Sequence, residues 1–400
     1  MKKFVMTMAA ACLFFGLSAQ TDPKSDEVKS PYEFTAVNDI AATSVKDQYS
    51  SGTCWSFASI AFIESELLRT GKGEYDLSEM WVARNAYLDK AKKYVRMHGK
   101  AEFSQGGATH DVFNTYREYG MVPEEVYSGL QYGTKQHEHS EVEAVLKGYV
   151  KGVVANPNGR LSTAWADGID GILDAYFGEI PETFVYNGKE YTPKSFAEEL
   201  GLDMDDYVSI TSFTHHPFYT QFAIEVPDNW TWGLSYNVPL EEMMAIIDNA
   251  LLNGYTVDWA SDVSEPGFQY FKGFAVIPAG TGSEASDLEW AKWDSMSSNS
   301  RREMISKATE PIEEVTVTQE MRQEAYDNYE TTDDHGMLIT GIFKDQLGNT
   351  FYKVKNSWNE SNLYDGYFFA SAPFVAYKTM NIMVHKDAIP KDIRKKLGIK

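Results

Sequence analysis

Gln48-Tyr49-Ser50-Ser51-Gly52-Thr53-Cys54-Trp55-Ser56-Phe57-Ala58-Ser59 is the stretch on which the reading of this 400-residue chain turns. A glycine-containing loop gives way at Cys54 to residues 54–68, which are apolar around most of a helical circumference. Such a segment predicts a buried helix, and Gly71 and Gly73 predict its end. Cys54 then falls in the first turn, near the positive end of the macrodipole, where thiolate is favoured over thiol. Gln48, on the loop, is placed to aim its side-chain NH2 at a carbonyl oxygen turning negative, with the Cys54 backbone N–H as second donor. The plain alternative is a buried cysteine packing as a small hydrophobe.

Gln48-x-x-x-Gly52-x-Cys54-Trp55-x-x-Ala58-Ser59 resembles the active-site signature of the papain-like cysteine peptidases. Papain carries a disulfide-bonded cysteine three residues before its nucleophile, where this chain has Ser51. The form with serine in that place is similar to the bleomycin hydrolase and aminopeptidase C branch. The resemblance implies an α+β, two-lobe fold, one lobe helical and one β-barrel-like, with insertions. It also implies thiol-based peptide hydrolysis without metal or organic cofactor.

Composition agrees with a packed enzyme. The chain is 43% hydrophobic and 14% aromatic, which does not suit a disordered polymer. Its net charge of −22 repels nucleic acid and anionic membrane, and serves first as a solubilising surface. Lys2 and Lys3 precede an apolar run from Phe4 to Leu17, followed by Ser18 and Ala19. That layout predicts a secretory signal peptide over 1–19 and export to the periplasm or medium. The run is too short to span a bilayer, and no later stretch is long enough, so stable membrane insertion is not expected. Cys12 lies inside the apolar run and not after it, which argues against lipidation. Loss of the signal leaves Cys54 as the single cysteine, unable to form an internal disulfide.

Residues 20–36 read as a polar, extended leader ahead of a peptidase domain at 37–400. Helices are predicted over 77–98, 109–119 and 239–253, with a strand at 255–259 and a short helix at 318–329. Gly106-Gly107 breaks the chain between the second and third helices. In the resemblance that pair forms the edge of the substrate cleft, while the residues alone suggest a tight turn. Residues 130–235 and 281–311 read as insertions on the core. The pairs His137/His139 and His215/His216 lack a clear third ligand, so no metal site is predicted.

A thiolate needs a proton partner and a group to orient that partner. Residues 337–343 and 350–355 alternate as strands around the turn-rich Asp345-Gln346-Leu347-Gly348-Asn349. Folding that hairpin puts His335 roughly opposite position 358, with Asn356 at the same open end. Both segments match the resemblance in its Cys…His…Asn order. There Asn356 accepts the imidazole N–H and Trp358 shields that bond from water. Two positions depart from the usual pattern: Asp334, placed to raise the histidine's pKa, and Asn359 where glycine is usual.

The sequence therefore points to an exported cysteine peptidase acting on peptides through Cys54, His335, Asn356 and Gln48. Gly106, Gly107 and Trp358 are its expected substrate-binding residues. The resemblance favours an aminopeptidase and a ring-shaped homo-oligomer. In that branch a C-terminal arm fills the cleft, whereas here the sequence ends soon after Ile389-Pro390, short of most of that arm. Endopeptidase is thus the alternative. An inactive peptide-binding relative and an acyltransferase using the same triad are rivals.

Overall fold

In the computed structural model, which describes residues 29–279 and 295–400, the chain begins with strand β1 (Thr35–Asp39) and then builds a helical lobe. Helix α1 (Cys54–Arg69) is its axis, flanked by α2 (Glu79–Arg96) and α3 (Thr109–Tyr119). Residues Trp55 to Ile63 carry no charge and are all buried. The acids that follow are buried with partners: Glu64 accepts from Thr43 Oγ1 (2.5 Å) and Leu77 N (2.8 Å), and Glu66 accepts from Arg69 Nη2 (2.7 Å). Ser78 caps α2 by accepting from the Trp81 N–H at 2.9 Å.

Helices α4 (Ser140–Val154) and α5 (Ala164–Phe177) pack on α2. Each shows one apolar stripe at intervals of four, Val142-Leu146-Val150 and Ile169-Leu173-Phe177, and each stripe is buried in the helical-lobe core. A small hairpin, β2 (Phe184–Tyr186) with β3 (Lys189–Tyr191), and α6 (Pro193–Leu200) complete this lobe.

The second lobe is one large mixed sheet. Its elements are β4 (Tyr207–Thr211), β5 (Gln221–Ala223), β6 (Leu234–Asn237), α7 (Leu240–Leu252), β7 (Val257–Ser261), β8 (Phe268–Gln269), β9 (Phe274–Ala275), α8 (Ser298–Ser306), α9 (Gln319–Asp327), β10 (His335–Lys344), β11 (Thr350–Lys355), β12 (Tyr367–Ser371), α10 (Ala372–Lys378), β13 (Thr379–His385) and α11 (Lys391–Leu397). The strand order is β5-β6-β4-β13-β7-β10-β11-β12-β9-β8, with β1 also pairing on β10. The β10–β11 hairpin pairs Leu338 with Lys355 and Lys344 with Thr350, the register expected from the turn. The fold is α+β in two lobes, as the resemblance implies. The cleft-facing residues collect where α1 meets β10 and β7.

Residues 130–235 divide between the lobes: 140–200 supply α4 to α6, and 207–237 supply β4 to β6, which extend the sheet beyond β13. The expected signal at 1–19 lies outside the described residues, as does 280–294 of the expected insertion at 281–311. Within the described part of the leader, Tyr32 is buried and Phe34 stacks on Phe369 at 3.9 Å, so this segment is packed onto the sheet.

Candidate active site

The loop before α1 is held by an amide that is largely spoken for. Gln48 Nε2 donates to Ser51 O (2.7 Å), and Gln48 Oε1 accepts from Ser357 Oγ (2.6 Å). The Gln48 N–H donates to Ser357 O (2.8 Å). The second N–H of the side-chain amide has no hydrogen-bond partner among the described residues, and Gln48 lines the cavity above Cys54. Ser51 Oγ donates to Gln48 O (2.8 Å) and lies 2.6 Å from Thr53 Oγ1, so hydrogen bonds tighten the turn at this position. Gln105 fastens the loop from outside: its Oε1 accepts from Gly52 N (2.7 Å), its carbonyl accepts from Trp55 Nε1 (3.1 Å), and its Nε2 donates to Glu143 (2.9 Å).

His335 opens β10 and Asn356 follows the end of β11, so one hairpin carries both. Asn356 Oδ1 accepts from His335 Nε2 at 2.7 Å and from Ser357 N at 2.9 Å. The Ser357 N–H identifies that atom as the oxygen, so the imidazole proton sits on Nε2 and the Nδ1 lone pair is left for another group. Trp358 stacks beside His335 at 4.7 Å and packs in turn on Tyr270 at 5.1 Å, which covers the His335–Asn356 pair.

One cavity of about 370 Å³ is lined by Cys54, His335, Gln48, Gly106, Gly107 and Trp358 together, with Asn356 behind the imidazole. Neither Gly106 nor Gly107 has positive φ, so no tight turn demands them. Space does: a Cβ on Gly107 would lie 2.8 Å from the Trp55 ring, and one on Gly106 would lie 2.2 Å from Asp228 Oδ2. On the opposite wall a Cβ at Gly336 would lie 3.1 Å from Trp55 Cα, which shows how closely β10 sits on the start of α1.

The electrostatics correct one sequence expectation. Burial pushes the Cys54 thiol up to about 12, with Asp333 and Asp228 acting in the same direction. The Gly336 and Trp55 backbone N–H groups oppose this. A helix terminus contributes at most ~1–2 kcal/mol and does not outweigh these effects. Burial likewise pushes the His335 imidazole down to about 4, against its hydrogen bond to Asn356. Burial thus opposes charge on both groups, against the preference for thiolate that the helix start alone suggests. Asp334 does not raise the histidine: its carboxylate accepts from Val263 N at 2.9 Å and its close charged neighbour is Asp262.

Three cavity residues escape a reading of the sequence: Asp228, Asp258 and Asp333. Asp258 lies in the predicted strand between Val257 and Trp259, and an acid between two large apolar residues was the available signal. Burial pushes it up to about 7, and it accepts from Ser59 Oγ at 2.5 Å across the two lobes. Asp228 comes from a loop with no periodicity that marks it. The expectation of no third ligand near His215 and His216 is also corrected: Glu225 brings its carboxylate within 4.8 Å of both rings. That group is closed by its own hydrogen bonds, His215 Nε2 to Glu225 Oε2 (3.1 Å) and His215 Nδ1 to Gln323 (3.1 Å).

Known proteins resemble this chain over most of its length. The papain family cysteine protease model matches residues 30–166, and the Peptidase C1-like family model matches 310–399. Aminopeptidase C of Streptococcus thermophilus is 22% identical, over 93% of this chain and 86% of the relative. Aminopeptidase C of Listeria monocytogenes is 22% identical, over 97% and 90%. Cysteine proteinase 1 of Saccharomyces cerevisiae, a mitochondrial protein, is 22% identical, over 91% and 79%. Among solved structures, PepW from Lactobacillus rhamnosis superposes with a TM-score of 0.65 at 18% identity, over 91% of this chain and 84% of that one. Among the described residues, no helix is long and apolar enough to cross a membrane.

Proposed function

We propose that this chain, a papain-like cysteine peptidase, is an exported aminopeptidase that frees residues from peptide N-termini through Cys54, His335 and Asn356. The observation that carries the chemistry is the 2.7 Å His335–Asn356 hydrogen bond beside the cavity that also exposes Cys54 and Gln48. It fixes the Nε2–H tautomer and leaves Nδ1 to act as base. Cys54 Sγ attacks the scissile carbonyl carbon while its proton passes to His335 Nδ1. The carbonyl oxygen takes the electron pair between the Gln48 amide and the Cys54 N–H. His335 returns the proton to the leaving nitrogen as the C–N bond breaks. Water then attacks the thioester, giving its proton to His335, and the acid and the thiol are released.

The N-terminal direction is supported by the relatives named Aminopeptidase C, matched over 86–90% of their length. Export is supported by Lys2, Lys3 and the apolar run behind them. One digestion tests the assignment: a free-amine peptide and its N-acetyl form are incubated with enzyme and read by mass spectrometry. Stepwise loss from the free N-terminus, abolished in Cys54→Ala, is expected. Internal cleavage of the acetylated peptide would make the enzyme an endopeptidase.

A further inference from the structure

An aminopeptidase needs a barrier beyond the first substrate residue and an acceptor for its ammonium. The C-terminal segment supplies neither among the described residues. Leu397 and Ile399 pack on the β-lobe core, Lys396 Nζ donates to Glu242 on α7 at 2.5 Å, and no residue of 391–400 lines the cavity.

The loop at 226–233 sits where such a barrier is required. Asp228 lines the cavity that holds Cys54, with its carboxylate pressed against Gly106. The loop is pinned in place. Trp230 Nε1 donates to Asp111 Oδ2 (2.6 Å) and Thr231 Oγ1 to Asp111 Oδ1 (3.1 Å). Asn229 closes the loop on itself, accepting from Gly233 N (2.8 Å) and donating to Ile224 O (3.1 Å). Asp111 lies in the first turn of α3, just after Gly107, so the loop is fastened to the helix that starts at the glycine edge. The Asp228 carboxylate has no hydrogen-bond or ion-pair partner within bonding distance among the described residues. Asp333, also on the cavity wall, has none either. The stretch 167–309, which contains Asp228, falls outside both matched family models.

We infer that Asp228 accepts the α-ammonium of the substrate and that the 226–233 loop stops the cleft one residue to the amino side of the scissile bond, an inference that rests on the aminopeptidase reading. Bond lengths place the α-nitrogen ~2.5 Å from the scissile carbonyl carbon, so its acceptor must share the cavity with the nucleophile. Asp228 and Asp333 do, and both act on the Cys54 thiol through space. An entering ammonium offsets the negative charge of Asp228, which opposes the thiolate, so the correct substrate eases its own attack. An N-acyl peptide brings no charge and drives its acyl group toward Asp228.

The test is kcat/KM for leucine p-nitroanilide and its N-acetyl form, measured on the full chain for wild type, Asp228→Asn and Asp228→Glu. In Asp228→Asn the free-amine to N-acetyl ratio should fall about 10- to 100-fold, the worth of one hydrogen bond to a charged group. Asp228→Glu should recover part of it, which a merely structural loss would not. Gly106→Ala, which puts a methyl into the space of the carboxylate, is a second variant and should lower the same ratio. If wild type and Asp228→Asn both trim only free N-termini with equal ratios, the acceptor assignment is wrong and the aminopeptidase reading stands. If wild type itself turns over the N-acetyl form as fast as the free amine, both fall.

Discussion

His335 and Asn356 are joined by a 2.7 Å hydrogen bond between residues at the open end of one hairpin, so the ring and its holder move as a unit. Asn356→Ala frees the ring to adopt either tautomer. A fall in kcat of about 10²-fold is expected, the lower end of what general acid–base catalysis contributes, with thermal stability nearly kept. A loss below about threefold would mean that the bond does not orient the imidazole.

Gln48 has one amide N–H committed to Ser51 O and one left over the cavity. Gln48→Ala should lower kcat by roughly 10²–10³, the usual cost of an oxyanion donor. Because Gln48 also accepts from Ser357 Oγ, Gln48→Glu is the informative companion. It keeps the acceptor and replaces the donor by a charge, and should be at least as inactive. Substantial activity in the glutamate variant would remove the oxyanion role.

The raised thiol and lowered imidazole predict slow alkylation at neutral pH. Iodoacetamide rates at Cys54 should climb across pH 7 to 10 without levelling, and Asp228→Asn should be faster at every pH. A flat plateau from pH 5 to 9 would reveal a preformed thiolate–imidazolium pair instead.

Stability should depend on pH in an unusual direction. Burial pushes Asp258 and Glu314 up to about 7 and Asp333 up to about 8. A carboxyl whose folded pKa is raised binds its proton more tightly folded than unfolded. Its contribution is complete below its ordinary pKa near ~4 and is lost as pH rises through 7 to 8. His335, down to about 4, and His139, down to about 3, act oppositely, losing their contribution as pH falls below ~6.5. The acids dominate above that point, so Tm should drop between pH 6.5 and 8. Asp258→Asn should flatten part of the slope. A Tm that rises over this interval would show that these carboxyls are ionised in the fold.

The position of the C-terminal segment makes a simple forecast for residues 397–400. Deleting them removes the buried Leu397 and should cost ~1.5–3 kcal/mol in denaturant unfolding. The free-amine to N-acetyl ratio should not change. A changed ratio would return the tail to the cleft.

Much of this site is legible in the chain because its chemistry is local. The helix start at Cys54, the glutamine before it and a hairpin whose turn sets its own register are encoded within short windows. Asp228 is not, since it reaches Gly106 only through a loop fastened to Asp111 far away in sequence. The charge state of the thiol is not legible either. It depends on desolvation by surrounding residues and on Asp333 and Asp228, which are far from Cys54 in sequence.

Cys54 and Gln48 are mounted on one lobe, His335 and Asn356 on the other. The seam between them is close-packed: Gly336 lies against Trp55, Ser59 is hydrogen-bonded to Asp258, and Gln48 to Ser357. Each half alone is chemically inert, since a thiol without a base and a base without a nucleophile cleave nothing. The protein thus works as its own split reporter, in which turnover registers docking and not merely folding. On heating or in denaturant, turnover should fail as the seam parts, before the circular dichroism of either half changes.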